Sequence, residues 1–136
     1  MSGAIEDVRV QDISAINSQS GIRITTAVGT GAFVKSIHAR RMAMHTMKYV
    51  FWMSGNYTSR PDSDYGPKAL PVIQAINYRD MTAENVAIAA DLRGIEGDAF
   101  TGICISNVSI IGISSSSKTM PWNCSNIKEK VLLQAV

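Results

Sequence analysis

An apolar pattern that recurs four times does most to constrain the fold of this 136-residue chain. Each unit carries apolar side chains at relative positions 0, 3, 5, 8 and 10, and the units begin at Ile5, Val34, Ile73 and Phe100. These starts lie 29, 39 and 27 residues apart, so the unit stays constant while the connections vary. Such recurrence is typical of a solenoid, in which each coil packs on the next one.

The spacing within the unit indicates β-strands. Steps of two, such as Val8 to Val10 and Ile103 to Ile105, place side chains on one face of a strand, whereas steps of three predict a corner or bulge. We predict one all-β domain over residues 1–136, with repeating coils over about 5–113 and a C-terminal cap over about 114–136. The last residues, 127–136, are predicted to be helical or irregular.

The longest connection contains a polar insertion over residues 54–71, which predicts a surface loop of the kind that borders binding sites. The methionine-rich stretch 40–52 could be taken for a helix, but methionines at such positions are usually core filler.

Composition and charge exclude several classes of partner. Charged residues make up 18% of the chain and the formal net charge is +2, so neither a nucleic-acid footprint nor a polybasic membrane patch is predicted. The longest apolar runs, such as Tyr49–Met53, are far shorter than a membrane-spanning helix. Glu6, Asp7 and Arg9 interrupt the start, so no export signal is visible there. A monomer is expected unless the exposed end of the solenoid pairs.

Six segments, in order along the chain, carry a family resemblance. They are Met1–Gly3 with Ile5–Val8, Gly21–Gly29, Tyr49–Met53, Ala69–Gln74, Phe100–Asn107 and Trp122–Cys124. Together they resemble plant members of glycoside hydrolase family 28, the polygalacturonases. The resemblance implies a right-handed parallel β-helix with a groove across its coils and inverting hydrolysis of α-1,4-linked galacturonan. It also implies an acidic polysaccharide substrate such as pectin, an extracellular or cell-wall location and no cofactor.

The resemblance also implies that the catalytic residues are missing, because the three catalytic aspartates and the catalytic histidine segment of the family lie upstream of the position that Met1 matches. The chain is therefore expected to be the C-terminal coils of such a fold and to be inactive alone, with no catalytic residue assigned. A non-catalytic pectin-binding module and a structural solenoid fragment remain alternatives, as does a rhamnogalacturonan hydrolase or pectin lyase on the same fold.

The remaining carboxylates and histidines form no defensible catalytic pair or metal site. Glu6 and Asp7 are adjacent on a strand and point to opposite faces, and Asp62 with Asp64 is a weak calcium signal, so no metal is predicted. The other acidic residues are interpreted as outward or loop positions, and the histidines as surface residues. These are Asp80, Glu84, Asp91, Glu96, Asp98, His38 and His45.

Three residues are predicted to bind substrate. The segment around Arg23 resembles the Arg-Ile-Lys segment of the family, and a guanidinium can hold a uronate carboxylate through two parallel hydrogen bonds. Thr25 stands where the family has lysine, which removes a second positive charge. Tyr57 lies where the family has an aromatic side chain lining the groove, and a phenol can pack on a sugar and hydrogen-bond to it.

Two further sets of residues are candidates for covalent modification. Cys104 and Cys124 are predicted to form a disulfide in an oxidising environment, on the expectation that the tail carrying Cys124 returns beside Cys104. Asn56, Asn107 and Asn123 begin N-glycosylation triplets, which matter only if the chain enters a secretory pathway.

Overall fold

The fold, seen in a computed structural model, is a parallel solenoid of β-strands. The structure describes residues 3–29, 31–57, 69–112, 122–128 and 131–134. The strands are β1 (Ala4–Thr25), β2 (Phe33–Ser54), β3 (Val72–Arg93), β4 (Phe100–Gly112), β5 (Trp122–Ser125), β6 (Ile127–Lys128) and β7 (Val131–Gln134). They form one sheet in the order β1-β2-β3-β4-β6, with β5 beside β3 and β7 beside β4. The described part of the chain contains no helix that could cross a membrane.

The three longest strands bend instead of running straight. A straight strand of 22 residues would be about 70 Å long, but β1 changes direction at Asp7, Asp12 and Asn17, which have positive φ. Corners with positive φ recur at the equivalent positions of the later coils, at Ser36, Arg41, Thr46, Ala75, Asp80, Asn85, Gly102 and Asn107. Each corner adds one residue between inward-facing positions, which explains the steps of three in the apolar pattern.

The pairing of the strands confirms the predicted repeat. Ile37 aligns with Ile76 and Ile76 with Ile103, and the adjacent strands run parallel. Every coil therefore places the same member of the apolar unit at the same point of its cross-section. This all-strand parallel architecture confirms the predicted fold class, a parallel β-helix.

The core runs along the inside of the stacked coils. Val34, Ile73 and Phe100, the first apolar residues of the last three units, are 7%, 2% and 0% exposed. The equivalent residue of β1, Ile5, is 53% exposed, and Ile13, which aligns with buried Met42, is 43% exposed. Among the described residues β1 has a neighbour on one edge only, so its inward-facing side chains lack a second packing partner.

The hydroxyl of Tyr78 is a polar group buried in the core. Its ring is fully buried and stacks on Phe51 with the ring centroids 5.1 Å apart. Its hydroxyl finds no hydrogen-bond partner among the described residues, and burial raises the pKa of Tyr78 well above its usual value. This phenol is a core element and does not reach the surface.

The C-terminal tail differs from the predicted helical or irregular cap. Its described residues form β5, β6 and β7, which extend the parallel sheet along β3 and β4. The tail thus continues the solenoid as a further coil, because the exposed edges of β3 and β4 offer unpaired backbone groups that a strand satisfies.

Candidate functional site

One side of the solenoid carries two rows of residues that cross the coils. The first row is Arg23, Trp52, Asp91 and Asn123, and the second is Thr25, Ser54, Arg93 and Ser125. Neighbouring coils are about 4.8 Å apart, so each row presents one side chain per coil. We call this surface, together with Tyr57, the cleft.

Strand alternation explains why these residues form a surface. Ile22 and Ile24 pack against the core, and Phe51 and Met53 are fully buried. The residues between these pairs, Arg23 and Trp52, face the opposite way, with Arg23 exposed and Trp52 half-buried. The cleft is therefore the outer face of the last part of β1, β2 and β3.

Arg23 lies against two aromatic rings. Its guanidinium carbon is 4.0 Å from the centroid of the Trp52 ring and 5.1 Å from that of Tyr57. Trp52 in turn stacks on Tyr49, with ring centroids 5.2 Å apart. Contact of a guanidinium with aromatic faces fixes its orientation and is attractive by about 0.5 to 2 kcal/mol. Among the described residues, these rings contact the flat face of the Arg23 guanidinium. Its in-plane N–H groups can therefore donate hydrogen bonds to a carboxylate.

Backbone hydrogen bonds hold Tyr57 close to Arg23. The Tyr57 N–H donates to the carbonyl of Thr26 at 3.0 Å, and the Thr26 N–H donates to the carbonyl of Ser54 at 2.7 Å. Thr26 itself is buried, and its hydroxyl also donates to the Ser54 carbonyl at 3.3 Å. The chain after β2 is thereby tied back to the end of β1, which brings two of the predicted substrate-binding residues together.

Thr25 occupies the second row of the cleft beside Ser54. It is half-buried and supplies a hydroxyl where the family resemblance implied an ammonium group. Arg93, one coil beyond Ser54 in the same row, is exposed, and its guanidinium is paired with Asp91 at 2.7 Å.

Sequence reasoning missed Trp52 and Asp91 as members of the cleft. Asp91 lies on the outer face, as the sequence indicates, but its side chain is only 10% exposed and accepts a hydrogen bond from Arg93 Nε at 2.7 Å. The repeat offsets of 29 and 39 residues, applied to Arg23, lead to Trp52 and then to Asp91, so the signal was present. A depression of about 450 Å³ adjoins Asp91 and Arg93 and is lined by Asn123 and Ser125 among others.

The other candidate residues lie away from the cleft. His45 is exposed, 4.0 Å from Glu84 and 2.9 Å from the Thr46 hydroxyl, and His38 is exposed on a different side of the coil. Asp62 and Asp64 fall outside the described residues. Within the described ranges no three His, Cys, Asp or Glu side chains gather in a group that could hold a metal ion.

The two cysteines lie beside different parts of β3. Cys104 aligns with Asn77 and with Val131 of β7, whereas Cys124 aligns with Leu92. The corners at Asp80 and Asn85 separate Asn77 from Leu92 on β3. It is therefore β7, and not the segment carrying Cys124, that runs beside Cys104. The predicted disulfide stays a prediction, and this register argues against it because a bridge requires Cα atoms within about 7 Å.

The three glycosylation candidates differ in accessibility. Asn56, Asn107 and Asn123 are all exposed. The Asn107 side-chain nitrogen donates to Asp80 at 2.7 Å, so a glycan there would remove a corner hydrogen bond. Asn123 belongs to the cleft, where a glycan would obstruct the surface. Asn56 lacks both obstacles among the described residues, and its modification stays a prediction.

Comparison with known proteins agrees with the fold. The family model described as "Glycosyl hydrolases family 28" matches residues 2–133. A "Probable polygalacturonase" from Vitis vinifera is 59% identical over 128 residues, which is 94% of this chain and 26% of that protein. The chain thus spans about a quarter of the length of the relative it matches. No solved structure gives a significant match. Because the family model covers nearly the whole chain, the protein belongs to glycosyl hydrolases family 28.

Proposed function

We propose that the chain is the oligogalacturonide-binding part of a polygalacturonase-type pectin hydrolase and does not cleave glycosidic bonds alone. The observation that carries the proposal is the Arg23 guanidinium, held over Trp52 and Tyr57 on the cleft. Membership of the family supports a uronate ligand such as pectin, and the protein is proposed to act on it at the cell wall, outside the cell.

The cleft offers the chemistry that a uronate sugar requires. A guanidinium accepts a planar carboxylate into a two-bond contact, and the exposed ring of Tyr57 can pack on the apolar face of the sugar. Contact with the Trp52 ring restricts the orientation of the Arg23 side chain, so less side-chain entropy is lost when the ligand binds. Hydroxyls of Thr25 and Ser54 add neutral hydrogen-bonding groups beside the carboxylate site.

The described carboxylates support the expected lack of hydrolysis by the isolated chain. Inverting hydrolysis needs a general acid and a general base about 6.5 to 9.5 Å apart across the sugar. In the described part of the cleft rows the carboxylate is Asp91, which is bonded to Arg93. One carboxylate paired with an arginine supplies neither the required pair nor a proton donor.

Changing Arg23 to glutamine is expected to weaken binding of a short oligogalacturonide about tenfold, because a charged hydrogen bond to the ligand is lost. Isothermal titration calorimetry at low salt measures this change. Lys128→Gln, which removes one exposed positive charge from the last coil, is the matched control and should leave the affinity within twofold. Equal losses in the two variants would contradict the assignment of Arg23.

Polygalacturonic acid incubated with the isolated chain is expected to yield no new reducing ends. A reducing-sugar assay against a heat-denatured sample measures this directly. Release of reducing ends that disappears on denaturation would show that a catalytic pair had been overlooked. Binding without hydrolysis fits both a portion of a larger hydrolase and a non-catalytic pectin-binding module. If the chain shows neither binding nor hydrolysis, the structural solenoid fragment is the remaining alternative.

A further inference from the structure

A second positively charged surface lies on another side of the coil. Three arginines, one from each of the first three coils, and one histidine gather there around a depression of about 330 Å³. We call this surface the basic strip, and its polar members are Arg9, Gln11, His38, Arg40, Asn77 and Arg79.

The basic strip is separate from the cleft. Arg9 and Arg23 belong to the same strand, but the corners at Asp12 and Asn17 lie between them. The strip therefore faces a different direction from the cleft. A short ligand seated at Arg23 does not extend to the strip, whereas a long polymer can contact both.

The charges of the strip are organised by the stacking of the coils. Arg40 donates through Nε and Nη2 to Gln11 on the neighbouring coil, at 3.1 and 3.0 Å, which fixes its guanidinium along the surface. Arg9, His38 and Arg79 are exposed. The described residues lining the depression include no carboxylate.

Acidic side chains occupy the corners on both sides of the strip: Asp7, two residues before Arg9, is exposed on one side, and Asp12 and Asp80 on the other side have partners. Asp12 is held by Arg41 through two hydrogen bonds of 2.6 and 2.9 Å. Asp80 accepts from Asn107 at 2.7 Å and lies 4.0 Å from Arg79 Nε. The strip is thus a local concentration of positive charge in a chain whose formal net charge is only +2.

The geometry points to a second binding site, on the basic strip, for an extended polycarboxylate chain such as polygalacturonate. Its cations are spread over three coils about 4.8 Å apart, which suits a linear polymer better than a compact anion. The described lining residues include no Phe, Tyr or Trp ring on which a nucleic-acid base could stack, which disfavours single-stranded nucleic acid. The choice of a uronate polymer rests on the proposed function.

Such a site would act by retaining the polymer. A chain bound at the strip keeps its remaining length at a high effective concentration near the cleft, so the two sites together bind long chains more tightly than either binds alone. Short oligomers gain no such advantage. Polymer length is therefore the variable that separates the strip from the cleft.

Affinity electrophoresis of the full chain in gels containing polygalacturonate tests the site. The double change Arg9→Gln with Arg79→Gln is expected to raise the apparent dissociation constant about three- to tenfold, as expected for two exposed charge contacts. Lys48→Gln with Lys128→Gln removes the same charge elsewhere and should change retardation less than twofold. Circular dichroism melting confirms that each variant is folded.

Comparison with Arg23→Gln separates this site from the proposed function. If the strip variant loses retardation and Arg23→Gln has no effect, binding at the strip is supported and the assignment of the cleft fails. Equal retardation of the strip variant and the lysine control overturns the strip. A further outcome also overturns the proposal. If dextran sulfate or double-stranded DNA retards the wild-type chain as strongly, and the strip variant loses this retardation, the surface is a general polyanion site.

Discussion

Replacing Phe51 by alanine is expected to lower the free energy of unfolding by about 3 to 5 kcal/mol, the usual cost of removing a large buried ring. Phe51 is fully buried, stacks on Tyr78 and lies 6.1 Å from the ring of Trp122. The ring thus joins β2 to the neighbouring coil β3 and to β5 in the tail. A cavity at this point loosens three elements at once.

Urea unfolding followed by circular dichroism measures the Phe51 effect, with Phe33→Ala as the control. Phe33 belongs to the same strand but is half-buried at its start, so its removal should cost less than half as much. Equal midpoints for the two variants would show that the centre of the described core is not where the stability resides. A broadened transition would indicate that the coils unfold separately.

Changing Gly94 to alanine is expected to cost about 3 kcal/mol, because overpacking against backbone cannot be relieved by a side-chain rotation. The added Cβ would collide with the backbone carbonyl oxygen of Asn126. That oxygen also accepts from the Phe100 N–H at 3.1 Å, and the Gly94 N–H donates to Ser125 at 2.8 Å. The collision therefore falls at the point where the tail joins the solenoid.

The expected readout for Gly94→Ala is detachment of β5 before the rest of the chain unfolds. Trp122 lies on β5 and is half-buried, so its fluorescence should shift to the red at lower urea than the circular dichroism signal changes. Gly97→Asn is the control: Gly97 has φ of 81° and open space around it, and asparagine tolerates that conformation. A coincident transition in both probes would contradict a tail held separately at Gly94.

The sequence predicted the repeat, the strand character and the register of the coils. These features are local, because alternation sends Ile103 and Ile105 to one side and one extra residue per corner resets the alternation. Stacking equivalent positions then aligns Ile37, Ile76 and Ile103 without further information. The family resemblance is also a local feature, because the residues near Arg23 that carry it are contiguous in the chain.

The composition of the surfaces was decided only by the tertiary structure. Trp52 contacts Arg23, and Asp91 aligns with Trp52, because equivalent residues 29 and 39 positions apart stack there. The same stacking assembles the basic strip from single arginines that look unremarkable one at a time. The tail forms short strands where a helical or irregular segment was expected, and these strands pair with the open edges of β3 and β4. Ile5 fits the apolar pattern yet stays exposed, since a side chain's burial depends on what packs against it and not on the pattern to which it belongs.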